Sequence, residues 1–201
     1  MTSPTDPILR SARLILRDFD DGDKADFHRL NTDRMVLEFL GPPLTREASD
    51  DWVDRIIERS RRDLPRLLAV TDADGATFMG YVGLWSPTFD AHFTPCVEIG
   101  WRLAVDFWRK GIATEAARMV LSWGFDHFLL PEIVSFTTVA NTRSRAVMER
   151  IGMNRVPTDD FDHPRLGSEN PLRPHVLYRI SSPRAQHPSP ARSESESPRS
   201  T

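Results

Sequence analysis

From Val97 to Ala104 the chain carries β-branched and aromatic residues, and from Ile112 onward it switches to helical periodicity, rich in Ala, Leu and Met. Polar residues of the second segment keep mainly to one stripe, Glu115, Arg118, Ser122 and Asp126. Ile112, Ala113, Ala116, Met119, Val120, Leu121, Trp123 and Phe125 fill the rest. The pattern predicts a strand that hands over through a short turn to a long helix lying deep against a sheet. At that handover Gly111 lets the backbone approach a ligand, and the first amides of the helix have no partner within it. Arg109 and Lys110 add positive charge. Together these features make an anion site suited to a phosphate-bearing cofactor.

The rest of the chain divides by the same reasoning. Arg13-Leu14-Ile15-Leu16-Arg17 reads as a strand, and Asp20, Asp21 and Asp23 crowd the start of a helix that ends near Asn31. After a loop or broken helix closing with Gly41-Pro42-Pro43, Thr45 is the expected N-cap of a helix with the apolar stripe Trp52, Val53, Ile56 and Ile57. Pro65 stops that helix. Leu67 to Val70 and Thr77 to Trp85 form a hairpin about Asp72-Ala73-Asp74-Gly75. Ile133 to Val139 returns beside the central strand by a crossover and is therefore parallel to it. A short helix follows from Asn141, ended by Gly152, and Val176 to Ile180 is the last strand. No internal repeat is present.

Composition narrows the function. At 201 residues, 39% apolar and 27% charged, the chain suits one soluble domain with a full core. Residues 1–9 read as a disordered leader and 10–181 as the domain. Residues 182–201 contain too little apolar surface to bury and read as a disordered tail. A formal charge of −3 argues against a general nucleic-acid or membrane-surface protein. No run approaches a membrane span and the N-terminus lacks a secretory apolar core, so a cytoplasmic address is expected. The single Cys96 cannot close an internal disulfide and reads as a small apolar strand residue rather than a nucleophile.

There is no triphosphate-binding G-x-x-x-x-G-K-[ST] run and no dinucleotide-binding G-x-G-x-x-G. Instead Glu98-Ile99-Gly100-Trp101, then Trp108-Arg109-Lys110-Gly111-Ile112-Ala113-Thr114-Glu115-Ala116, resembles the acetyl-CoA signature of the GNAT superfamily of N-acetyltransferases. The likeness is to the branch that includes the ribosomal-protein alanine acetyltransferases RimJ and RimL. Asn141 to Met153 is similar to the superfamily's second marker, and the resemblance extends over roughly residues 10 to 181. It implies an α/β GNAT fold: a mixed, mostly antiparallel sheet, splayed between its fourth and fifth strands, with helices on both faces. It also implies acetyl-CoA as cosubstrate, no metal, and an amine acceptor that is either a small molecule or a protein N-terminus. Neither nucleic acid nor membrane is an expected partner, and the chain would be a monomer or homodimer.

The resemblance also assigns residues. Backbone groups near Trp101, Arg102 and Leu103 would pair with the pantetheine arm, and the pyrophosphate would meet Arg109, Lys110, Gly111, Ile112, Ala113 and Thr114. Asn141 would hold the cofactor's amide arm or serve only as an N-cap. Acyl transfer needs a neutral amine and a protonated leaving sulfur. Glu98 is the candidate base, or else a structural carboxylate paired with an arginine. Many members use a tyrosine in the second helix as the acid, but Met148 stands there. Ser144 is the remaining donor, unless its hydroxyl bonds back to a helix carbonyl. His163, His175 and Tyr178 lack close metal-ligand spacing, whereas Trp52, Trp85, Phe89 and His92 could line an acceptor pocket or simply fill a core. A catalytically idle acyl-CoA-binding module is the alternative to an enzyme, and the fold alone does not choose the acceptor.

Overall fold

The computed structural model describes residues 6–183. Within them the strands are β1 (Pro7–Arg10), β2 (Leu14–Arg17), β3 (Leu67–Asp72), β4 (Phe78–Trp85), β5 (Glu98–Leu103), β6 (Glu132–Thr138), β7 (Asn154–Arg155), β8 (Phe161–Asp162) and β9 (Pro174–Ser181). The helices are α1 (Lys24–Leu30), α2 (Arg46–Arg61), α3 (Ile112–His127) and α4 (Thr142–Arg150). One mostly antiparallel sheet runs β1-β2-β3-β4-β5-β6-β9-β7, with β8 on β9. Only the β5–β6 neighbours are parallel, as the α3 crossover requires.

Local chemistry sets the element ends. Asp20 caps a 3₁₀ turn over Asp21–Asp23 that leads into α1, and the Thr45 hydroxyl accepts a hydrogen bond from the Ala48 amide at 3.2 Å to open α2. Gly111 precedes α3 with φ of +77°, and Gly152, with φ of +87°, follows α4. The helices cover opposite faces. On one, α1 and α2 bury Phe27, Leu30, Val53 and Ile56 against Leu67, Ala69 and Tyr81. On the other, α3 and α4 bury Ala116, Val120, Val147 and Met148 against Leu84, Ile99 and Ile133. Gly80 and Gly83 permit the tightest approaches in the sheet, because a Cβ would stand 2.1 Å from Arg102 O at the first and 2.4 Å from Arg66 O and Leu67 Cα at the second.

The ends of the domain differ from the expectation. Pro7–Arg10, inside the expected leader, pairs with β2, so the fourth and fifth strands of the expectation, between which the sheet parts, are β5 and β6 here. Ser182, assigned to the tail, is buried, and its amide donates to Pro131 O at 2.8 Å. The remaining leader residues 1–5 and tail residues 184–201 lie outside the described residues.

Candidate active site

The site begins where β5 and β6 part. Their register holds one pair, Glu98 with Val134, and the Val134 amide donates to Val97 O at 3.0 Å. One step on, the Ser135 hydroxyl rather than a backbone amide reaches Ile99 O, at 2.8 Å, and no later pair joins the strands among the described residues. Each strand is committed elsewhere: β5 pairs with β4 over six positions and β6 with β9 over seven. A cavity of about 1290 Å³ opens in and around the wedge.

The β4–β5 ladder fixes which backbone groups face that wedge. Ala104 donates to Met79 O, so Gly80 and Leu103 are a non-hydrogen-bonded pair, and the alternation turns Glu98, Gly100 and Arg102 toward β4. Ile99, Trp101 and Leu103 turn toward β6. Trp101 and Leu103 thus offer an unpaired sheet edge, although the Trp108 indole already donates to Leu103 O at 2.8 Å. Arg102 departs from the expectation: its backbone belongs to the β4 ladder and does not face the gap.

Gly111, Ile112, Ala113 and Thr114 line the cavity, with the first turn of α3 opening onto it. Gly111 and Arg109 both adopt positive φ, +77° and +59°, to turn the chain into the helix. Arg109 lines the cavity. Lys110 does not: its ammonium lies 5.7 Å from the Phe107 ring centroid, and its carbonyl accepts from Arg13. Arg13, Arg118, Arg143 and Arg150 also line the cavity, Arg13 paired with Glu115 and Arg143 with Glu38. Sequence reasoning missed these four as lining residues, although Arg118 sits one helical turn after Thr114 and so shares its side of α3.

Glu98 is half-buried and its carboxyl leans over Gly100, with Oε1 3.9 Å from the point a Cβ would occupy there. Among the described residues no ion pair or hydrogen bond holds it, so the arginine partner of a structural carboxylate is lacking. Burial without compensation pushes its pKa up to about 8. Ser144 lines the same cavity from α4. Its amide donates to Asn141 Oδ1 at 3.1 Å, while its hydroxyl makes no bond back to a helix carbonyl. Asn141 is the N-cap, and its Nδ2 donates to Thr137 Oγ1 at 3.1 Å. Met148 is buried in the core and carries no O–H donor.

Of the four candidate acceptor-pocket residues, Trp52 and Trp85 line the cavity with Tyr81, whereas Phe89 and His92 pack with Phe93 elsewhere. His163 and His175, with rings 5.0 Å apart, join the Phe136–Phe161 cluster, and the Tyr178 hydroxyl donates to Glu149 Oε1 at 2.9 Å. Burial raises the Cys96 thiol to about 11, which leaves it protonated near neutrality.

A splayed parallel pair, an open β-edge and a helix N-terminus at one cavity are the parts of an acyl-CoA site. Residues 13–154 match the family profile described as acetyltransferase (GNAT) domain. The chain belongs to the GNAT acetyltransferase family. Among curated relatives, the FsC-acetyl coenzyme A-N(2)-transacetylase of Aspergillus fumigatus is 28% identical, aligning with 96% of this chain and 85% of its own length. Two solved structures show the same fold. The ribosomal-protein-S5-alanine acetyltransferase of Vibrio fischeri superposes with a TM-score of 0.70 at 16% identity, covering 87% of this chain and 96% of that one. The spermidine N-acetyltransferase of Vibrio cholerae, in complex with CoA and spermine, does so with 0.68 at 18%, covering 86% and 97%. Members of the GNAT family use acetyl-CoA, and this chain is an N-acetyltransferase. Among the described residues no helix is long and apolar enough to cross a membrane, and no three His, Cys, Asp or Glu side chains cluster as metal ligands.

Proposed function

We propose that the protein transfers an acetyl group from acetyl-CoA directly to a primary amine, both substrates being held together in the β5–β6 cavity. The observation that carries this reading is Glu98, a carboxyl without a partner on the splayed strand, raised to about 8 by burial. Acetyl-CoA supplies the thioester. The first-turn amides of α3 with Arg109 suit its pyrophosphate, and the open edge at Trp101 and Leu103 suits the pantetheine arm. One edge amide would then serve as the oxyanion donor. Lys110 adds only distant positive charge, and Arg102 contributes no backbone contact.

An α-amine costs about 1 kcal/mol to deprotonate at pH 7, and a lysine about 4.6. Glu98 removes that proton directly or through water, and a pKa near the working pH suits a group that must both take and release it. Ser144, with its hydroxyl free of the helix, donates to the leaving sulfur. Protein N-termini and small amines both remain within this reading. The test incubates the protein with acetyl-CoA and a panel of amines, amino acids, peptides and ribosomal proteins, following CoA thiol and acetylated product by mass. Equal appearance of thiol and N-acetylated amine is expected; thiol release without any acetylated amine contradicts the reading.

A further inference from the structure

The acceptor half of the cavity contains a cation that the reaction just described does not use. Arg102 lies four residues after Glu98 on the same face of β5, so both side chains rise toward α1 and α2, away from α3. Its guanidinium carbon sits 5.8 Å from the Trp52 ring centroid and 5.6 Å from that of Tyr81. Nη1 donates to Oδ1 of the buried Asn31, whose own Nδ2 is fixed by Phe27 O at 2.7 Å. Asn31 is neutral, so it aims the guanidinium without cancelling its charge. Nε is shielded from solvent and has no hydrogen-bond partner. No carboxylate pairs with Arg102 among the described residues. A partly desolvated donor fork with free N–H groups, oriented and stacked but unpaired, is what recognition of an anion requires.

We propose that the amine acceptor carries a carboxylate, which Arg102 binds while Glu98 faces the amine. The inference rests on the acetyltransferase reading and adds the acceptor's chemical class. Residues i and i+4 of a strand are roughly 13 Å apart, and the Glu98 carboxyl leans inward over Gly100 toward Arg102. Two hydrogen bonds of about 2.9 Å then leave a gap of several Å, the span between amine and carboxylate in a small amino acid. The aromatic walls Trp52, Tyr81 and Trp85 leave room for its apolar stem. A polyamine's second ammonium would meet a guanidinium instead, so this half of the cavity selects against dications.

The test measures binding to the CoA-loaded protein by calorimetry, using N-acetylglycine, N-acetyl-β-alanine and N-acetyl-γ-aminobutyrate against their primary amides. At least one carboxylate should bind tenfold or more tighter than its amide, since a hydrogen bond to a charged group outweighs one to a neutral group. Arg102→Gln should bring that ratio to within about twofold. Asn31→Asp, which neutralises the guanidinium in place, should do the same should the first variant fold poorly. Equal binding of acid and amide, no binding of any pair, or a ratio that survives both substitutions overturns the proposal. Succinyl-CoA and acetyl-CoA are compared as well: a preference for succinyl-CoA that Arg102→Gln erases would put the anion on the acyl donor and overturn the acceptor assignment. CoA thiol release by the parent protein with the amine panel is scored separately, so absence of turnover there refutes the enzyme reading while the binding ratio still judges Arg102.

Discussion

Glu98→Gln should stabilise the fold at alkaline pH and leave it unchanged in acid. Burial raises the carboxyl from 4.5 to about 8, so the folded state binds this proton more tightly than the unfolded chain does. Folding is therefore unpenalised below the unfolded pKa, and the penalty grows as pH rises from 4.5 to about 8, where it saturates. At about 1.36 kcal/mol per pKa unit the ceiling is near 5 kcal/mol, and access of water to the cavity lowers the expected value to roughly 2–4 kcal/mol. Glutamine matches the shape, needs no proton, and so removes the penalty. Urea unfolding of both proteins at pH 5 and pH 8.5 measures the difference, and other titrating groups cancel in the comparison. Agreement within about 0.5 kcal/mol at pH 5 and a more stable variant at pH 8.5 are expected. A variant that gains nothing between the two pH values would refute an uncompensated buried carboxyl.

Gly111→Val should weaken CoA binding tenfold or more in calorimetry, because a β-branched residue resists the φ of +77° that aims the first amides of α3; unchanged affinity would place the phosphates elsewhere. Ser144→Ala should lower turnover several-fold without changing CoA affinity, a smaller loss than at Glu98 because water can protonate the thiolate; parent turnover would remove Ser144 from the chemistry. Gly83→Ala should destabilise by about 2–4 kcal/mol in urea unfolding, since its Cβ would meet backbone atoms that cannot swing away.

Much of this arrangement was readable from residue order. The change of period between Val97 and Ile112 marked β5 and α3, and the polar Asp20, Thr45 and Asn141, with Gly152, marked helix ends that the caps bear out. β1 escaped notice because four residues opening with Pro7 show no alternation, and a short edge strand needs none. The two-residue β7 and β8 are defined only by their pairing to β9. Within the site, the spacing of Glu98 and Arg102 already placed both side chains on one face of a strand. The partner that occupies each side of β5 comes from β4 and β6, distant in sequence, so the backbone role assumed for Arg102 could not be separated from its side-chain role. Arg143 and Arg150 reach the cavity only through the docking of α4, which no local pattern encodes.

The decisive measurement is kcat/KM against pH for the parent and Glu98→Gln, with a primary amine that the panel identifies as an acceptor. The parent should rise about tenfold per pH unit below about 8 and level off above it, tracking ionisation of Glu98. The variant should lose 10²–10⁴-fold at neutral pH, with the loss shrinking as free amine accumulates. Equal rates for the two proteins at every pH would contradict a catalytic carboxylate, and would leave positioning and the backbone oxyanion donor as the whole of the catalysis.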